Sequence, residues 1–314
     1  MSDDIRVRIC RPGDRAALLA LGHPPGVTQA FCPSPLRRFE WWLAGNRIVN
    51  QVAVEGADER VVGSVQLIRT RRDPRTWLFG HWRVPGPRRR QGLGRLLLAE
   101  ALRQVPEISR LYSFVDWGND ISTLAHERLG FRRSAELRGS APLGALSTIG
   151  AAAPAVRLTR VRRGESAGLF ALYSRAMGAG WISLFPRLGP HNFLDSSAGE
   201  MVPWLVRAAR VIQRPTGLYR VDAGGVLRGF VRRDGPTLEL FADPDSCDAS
   251  LLARVALRLM DLGEDRDTRL LLRGLTREIV SRPGPIDALL LMVLGDRTRL
   301  NGAPPPPSPS AGRR

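Results

Sequence analysis

The 314-residue sequence contains no lysine: its 47 basic residues are all arginine, set against 30 acidic residues for a formal net charge of +17. The absence excludes a Walker phosphate loop, which requires Gly-Lys-Ser/Thr. A pI near 11.4 ordinarily points to nucleic acid, a membrane surface or acidic substrates. A chain adapted to phosphate contacts usually mixes lysine with arginine, whereas wholesale arginine matches the codon usage of a GC-rich genome. The charge is therefore weak evidence for nucleic acid, and no such partner is expected. Cysteine is scarce too. Cys10, Cys32 and Cys247 are an odd number, far apart, with no C-x-x-C pair, which points away from a disulfide framework and from zinc. The four histidines, His23, His81, His126 and His191, lack metal-ligand spacing, so no metal is expected. MSDDIRVR has no signal-peptide pattern, and ALLLMVL at 288–294 is too short to span a bilayer. The expectation is a soluble cytoplasmic protein that does not enter a membrane.

The length suffices for two domains with cores of their own. IRVRIC (5–10) reads as a strand, PGDRAALLAL as a helix with Asp14 in its first turn, and PLRRFEWWL as a second helix. NQVAVEG (50–56) and RVVGSVQLIR (60–69) read as a hairpin, and TWLFGHWRV (76–84) as a further strand. GRLLLAEALRQV then has helical periodicity, RLYSFVDW is a strand, and ISTLAHERLGF is a helix stopping at Gly130.

The order then restarts. IRVRICRPGDRAALLAL (5–21) lies without a gap over VRLTRVRRGESAGLFAL (156–172), with Arg6/Arg157, Arg11/Arg162, Gly13/Gly164, Ala16/Ala167, Leu18/Leu169, Ala20/Ala171 and Leu21/Leu172 coinciding. RRDPRT (71–76) over RRDGPT (232–237) keeps the same order. Two copies of one α/β unit follow. The expected division is 1–138, a small-residue linker 139–155, a second unit 156–300, and a Pro-rich tail 301–314 that cannot form a core.

The stretch RRRQGLGRLLLAEAL, Arg88 to Leu102, carries the chemistry. A dinucleotide fingerprint fails because Leu97 stands where the third glycine belongs. What remains is an Arg-x-x-Gly-x-Gly turn, Arg89, Arg90, Gln91, Gly92, Leu93 and Gly94, between a strand and a helix. Backbone amides at such a junction converge with the unpaired donors of the helix N-terminus, which suits a pyrophosphate; a side chain at 92 or 94 would hold phosphate off the backbone. The bland alternative is a helix cap with solvated arginines.

RVPGPRRRQGLGRLL followed by NDISTLAHERLGF resembles the acetyl-CoA signature of the GNAT superfamily of N-acyltransferases. The resemblance covers about residues 5–135, in motif and in element order. It implies an α/β (α+β) fold, here as two GNAT-like domains, each a mixed, mostly antiparallel twisted sheet flanked by helices. It further implies acetyl-CoA as co-substrate, with Arg89 to Arg95 around the pyrophosphate. By the same resemblance, the backbone of Arg83 and Val84 pairs with the pantetheine arm and holds the thioester carbonyl, Asn119 touches that arm, and Gly130 and Phe131 match the closing Gly-Phe.

One position departs from the family pattern. Seven residues after the asparagine the family carries a tyrosine that protonates the leaving thiolate, and here stands His126. An imidazole can hold that role, or its presence can mark a domain that binds acyl-CoA without catalysis, as a sensor or scaffold. The attacking amine also needs a base, for which His81, Asp116 and Glu40 are candidates, His81 first. The second copy lacks the turn: DPDSCDASLLARVALRL has three aspartates where a pyrophosphate would sit, so it resembles a degenerate GNAT copy that walls the acceptor site. GESAG (164–168) matches G-x-S-x-G, yet no acid separates Ser166 from His191, the last histidine, so it reads as a helix start. The acceptor implied is a small-molecule primary amine; oligomeric state is left open.

Overall fold

The computed structural model describes residues 5–34, 47–69, 73–150, 155–161, 165–190, 193, 217–234, 237–281 and 284–294. Glu40, His191, all of PLRRFEWWL and the tail lie outside the described residues. The first half runs β1 (Ile5–Ile9), α1 (Arg15–Ala20), α2 (Pro25–Phe31), β2 (Ile48–Glu55), β3 (Arg60–Arg69), β4 (Thr76–Arg83), α3 (Leu93–Arg103), β5 (Arg110–Asp116), α4 (Asp120–Arg128) and β6 (Phe131–Pro142). After α5 (Leu143–Leu146), the second half runs β7 (Val156–Arg160), α6 (Ser166–Leu184), β8 (Gly217–Ala223), β9 (Val226–Asp234), β10 (Thr237–Ala242), α7 (Ala249–Asp261), β11 (Arg269–Arg273), α8 (Arg277–Ser281) and β12 (Asp287–Leu294).

The strand and helix expectations hold for β1 to β5, α3 and α4, whose alternating or 3.6-residue apolar patterns are strong. Gly130, at φ +91°, ends the α4 region where only glycine sits without strain. Asp14 immediately precedes α1, and its carboxylate ties back to the preceding chain, accepting the Arg11 amide at 2.7 Å and both Arg8 terminal nitrogens at 2.7 and 2.8 Å. Cys10 and Cys32 meet without a disulfide, their sulfurs 3.3 Å apart.

The two halves do not form two separate sheets. All twelve strands belong to one sheet in the order β1-β2-β3-β4-β5-β12-β6-β11-β10-β9-β8-β7. That order reads the same from either end once β1 is matched to β7, β2 to β8 and so on to β12, and the halves have exchanged their last strands. β12 inserts antiparallel between β5 and β6, and β6 lies antiparallel against β11. Among the described strands, only β4–β5 and β10–β11 pair in parallel. One core therefore runs through both halves, joining Leu97, Leu111 and Leu137 to Leu252, Leu270 and Leu290. On the other face α6 crosses the seam, burying Tyr173, Trp181 and Phe185 against Tyr112, Leu291 and Phe241. The Arg138 guanidinium lies beneath α6, 4.1 Å from the Phe114 ring centroid and 4.0 Å from that of Trp181.

The stretch 139–155 is not an open linker over its described part. Residues 139–142 finish β6, and Leu143 and Leu146 of α5 are fully buried. Its small residues reflect close packing: a Cβ on Gly139 would come within 2.6 Å of Leu275, and one on Gly150 within 2.8 Å of the Ser250 backbone.

The exchange makes each half dependent on the other. Residues 1–150 produced alone leave β5 with an unpaired edge and part of the core exposed. They are expected to aggregate or to lose a cooperative thermal transition, measured by size-exclusion chromatography and calorimetry; a monomeric fragment with a sharp transition would contradict the exchanged sheet.

Candidate active site

β4 and β5 pair only from Thr76 to Leu78 against Arg110 to Tyr112. Beyond that point β4 stays with β3 as far as Arg83, and β5 stays with β12 as far as Asp116, so the two strands part into a wedge. Backbone donors and acceptors that would have joined them face the gap. β4 also bulges against β3: Gln66 opposes Gly80 and Ser64 opposes Arg83, so one side gains a residue. The bulge holds His81 at φ +49°, a conformation that costs a non-glycine residue roughly 1–2 kcal/mol.

From the end of β4 the chain enters the arginine turn. Arg90 (φ +63°) and Gly92 (φ +78°) are both left-handed, which curls consecutive amides inward above α3. The turn is fastened by its side chains: Arg88 pairs with Glu55, Arg89 Nε donates to the Val84 carbonyl at 3.2 Å, and Gln91 Nε2 to the Pro87 carbonyl at 3.0 Å. Gly92 is the N-cap of α3 and no side chain caps that terminus, so the donors of its first turn stay open. A Cβ on Gly92 would meet nothing within 4 Å, so its backbone conformation demands glycine there; on Gly94 it would fall 2.2 Å from the Trp82 indole, so packing demands it. The Trp82 Nε1–H is buried beside this terminus without a hydrogen-bond partner among the described residues.

His126 is buried in α4 among the rings of Phe79, Trp82 and Phe131, with centroids 5.2–5.4 Å away. Its Nδ1 lies 2.8 Å from the Ser122 carbonyl, which can only accept, so Nδ1 carries the hydrogen. Nε2 of the neutral ring then accepts from the Ser113 hydroxyl at 3.0 Å. Burial lowers the imidazole pKa, against the opposing effect of the Ser122 carbonyl. In this state the one ring proton is held by the Ser122 carbonyl and Nε2 is an acceptor. Asn119 is the N-cap of α4, its Oδ1 accepting the Ser122 amide at 3.0 Å.

On the opposite face His81 retains solvent contact, while partial desolvation, with the Arg83 cation adding to it, lowers its pKa and keeps it a free base at neutral pH. It stands against a residue that sequence patterns do not single out, His23, in the loop between α1 and α2. The two ring centroids are 6.3 Å apart, with Phe31 5.1 Å from His23. His23 is buried, its Nε2 is 2.7 Å from Ser64 Oγ, and its pKa is pushed down to about 4, by burial first and then by Arg83 and His81. Asp116 ends β5 on the other arm of the wedge, exposed.

The family model described as acetyltransferase (GNAT) family matches residues 20–131, the stretch that contains the wedge, the bulge and the turn. Over those residues the chain is similar to a GNAT acetyltransferase domain. Solved structures similar to the chain include a GCN5-related N-acetyltransferase from Sphaerobacter thermophilus, at 12% identity over 93% of this chain and 96% of that one, with a TM-score of 0.48. A GCN5-related N-acetyltransferase from Kribbella flavida matches at 14% identity over 93% and 71%, TM-score 0.37. A tandem GNAT protein from the clavulanic acid biosynthesis pathway matches at 15% over 92% and 98%, TM-score 0.42. No curated protein matches the chain.

Among the described residues, the second half lacks the openings of the first. β10 and β11 stay paired to Phe241 and Arg273, and a Cβ on Gly274 would fall 2.0 Å from the Ala242 carbonyl. At the start of α7 the Asp248 carboxylate accepts the Leu251 amide at 2.7 Å, so a fixed anion already occupies that helix end. Among the described residues no group of three His, Cys, Asp or Glu side chains could hold a metal, and no helix is long and apolar enough to cross a membrane.

Two outcomes test this account of the histidines. His126→Ala removes a buried ring and strands the Ser113 hydroxyl, and is expected to lower stability by about 2–4 kcal/mol in urea unfolding; unchanged stability would show the ring is not a packing element. His23 binds fewer protons folded than unfolded between about pH 4 and the ordinary imidazole pKa, so its contribution is fully present above that pKa and is lost as pH falls. Wild type is therefore expected to lose more stability than His23→Gln between pH 7 and pH 4.5, by up to a few kcal/mol; parallel pH profiles would refute it.

Proposed function

We propose that the GNAT domain in the first half transfers an acetyl group from acetyl-CoA to a primary amine of a small molecule by direct attack. The observation that carries this is the uncapped α3 N-terminus beneath the left-handed turn, placed at the mouth of a strand wedge. The groups present fit the co-substrate. The backbone from Arg89 to Arg95 (Arg89, Arg90, Gln91, Gly92, Leu93, Gly94, Arg95) would cradle the pyrophosphate, and the unpartnered Trp82 N–H supplies a further donor. The open edges of Arg83 and Val84 would pair with the pantetheine arm, with Asn119 on its far side.

The amine lone pair attacks the thioester carbonyl; a C–N bond forms, the C–S bond breaks, and CoA leaves as thiolate. An amide near Val84 would hold the developing oxyanion. His81, neutral and positioned on the bulge, takes the proton lost by the amine, with Asp116 the other candidate. His126 supports the wedge and α4 as a packed ring.

The second half is a degenerate GNAT-like copy whose α6 helix walls the acceptor side, a reading supported by its closed strand pair and self-capped helix. A second functional reading, an acyl-CoA sensor or scaffold without catalysis, is favoured by the missing acid at His126. The acceptor is otherwise read as a small molecule, in a cytoplasmic protein, with no nucleic-acid or membrane partner and with oligomerisation open.

Calorimetric titration of acetyl-CoA is expected to give micromolar binding to the wild type and none to the Arg89→Ala/Gly92→Glu variant. Amine-dependent thiol release, lowered at least about 100-fold by His81→Ala with loss of the acid limb of the pH profile, separates enzyme from sensor. Binding without release on any amine would favour the sensor, and no binding at all would refute both readings.

A further inference from the structure

We propose that the acceptor bears a carboxylate beside its amine, with Arg83 binding the carboxylate and Gln66 receiving an amine N–H at the mouth of the wedge. This rests on the transferase reading above.

The state of Gln66 follows from a chain of hydrogen bonds that admits one orientation. Asn50 Nδ2 lies 3.1 Å from the Ala30 carbonyl and 2.8 Å from that of Phe31, both obligate acceptors. Asn50 Oδ1 must then be the acceptor of the 2.7 Å bond from Gln66 Nε2. That leaves Gln66 Oε1, fully buried and with no partner among the described residues. A buried acceptor left unpaired costs about 1–3 kcal/mol, which a ligand donor relieves.

Its surroundings open where an acceptor would approach. Gln66 opposes Gly80, the last residue before the bulge, and a Cβ on Gly80 would meet nothing within 4 Å. Strand alternation places Ser64 on the same face as Gln66, and Ser64 holds His23, whose Nδ1 is a second buried atom without a partner. Arg83 lies over the same loop, its Nη1 3.5 Å from the Leu21 carbonyl and without a carboxylate partner among the described residues. By alternation with Phe114, Asp116 belongs to this face on the opposite arm.

A cation on one arm, an anion on the other and an uncharged acceptor between them match a zwitterion. A polyamine would set a second ammonium against Arg83, which an amino acid replaces with a carboxylate.

Glycine, β-alanine and 4-aminobutyrate, and the carboxamide of each, are titrated into the acetyl-CoA-loaded full chain. Thiol release and the His23 and His81 imidazole resonances are followed together. Carboxylates are expected to exceed their amides at least about tenfold, in kcat/KM or, where turnover is too slow to follow, in the concentration that shifts the resonances. Arg83→Gln is expected to abolish this ratio by raising KM for the carboxylates, while any change it causes through the neighbouring His81 falls equally on acid and amide; Gln66→Leu lowers kcat on every acceptor and keeps the ratio. Equal response to acid and amide, or a ratio that survives Arg83→Gln, overturns the inference while leaving the transferase reading intact. Failure of the wild type to bind acetyl-CoA removes both.

Discussion

The parting of β4 and β5 is the constraint on which the rest of the molecule depends. Two parallel neighbours separate only if each is held by its other side, because open backbone groups otherwise close the gap. β3 holds β4 through the bulge, and β12, contributed by the far end of the chain, holds β5. The cleft of the first half is thus kept open by the second half. In the second half, β6 is contributed by the first half in the same way, yet its parallel pair remains closed.

The electrostatics follow the same division of labour. Four arginines around the turn suggest charge as the device that holds an anion, but Arg88, Arg89 and Gln91 are occupied in fastening the loop. What the turn leaves open is its backbone, left-handed at Arg90 and Gly92, and the uncapped end of α3. The two glycines differ in kind: Gly92 is required by its left-handed conformation, Gly94 by the indole lying against it.

Much of this was legible in the sequence, because β1 to β5, α3 and α4 have periodicity strong enough to fix them locally, and the turn has a motif. What was hidden depends on tertiary partners. The end of β6 reads as a linker because Gly139 and its neighbours are small, yet they are small to admit Leu275 and the start of α7. β12 is visible only as a short apolar run, and its insertion beside β5 is unreadable from either segment. His23 has no motif, since its importance comes from Ser64 and His81, far off in sequence. His126 is singled out by the motif, but its tautomer depends on Ser113 and Ser122.

The exchanged strands also set a timetable. β5 leaves the ribosome roughly 170 residues ahead of the strand that covers its edge, about 10–30 s at ordinary rates of synthesis. For that interval the nascent first half exposes an apolar strand edge, and β6 has no neighbour on either side until β11 and β12 arrive. Completion of the cleft is consequently one of the last events in the making of the chain, so a ribosome-bound fragment has the turn and helix of the domain before it has the wedge.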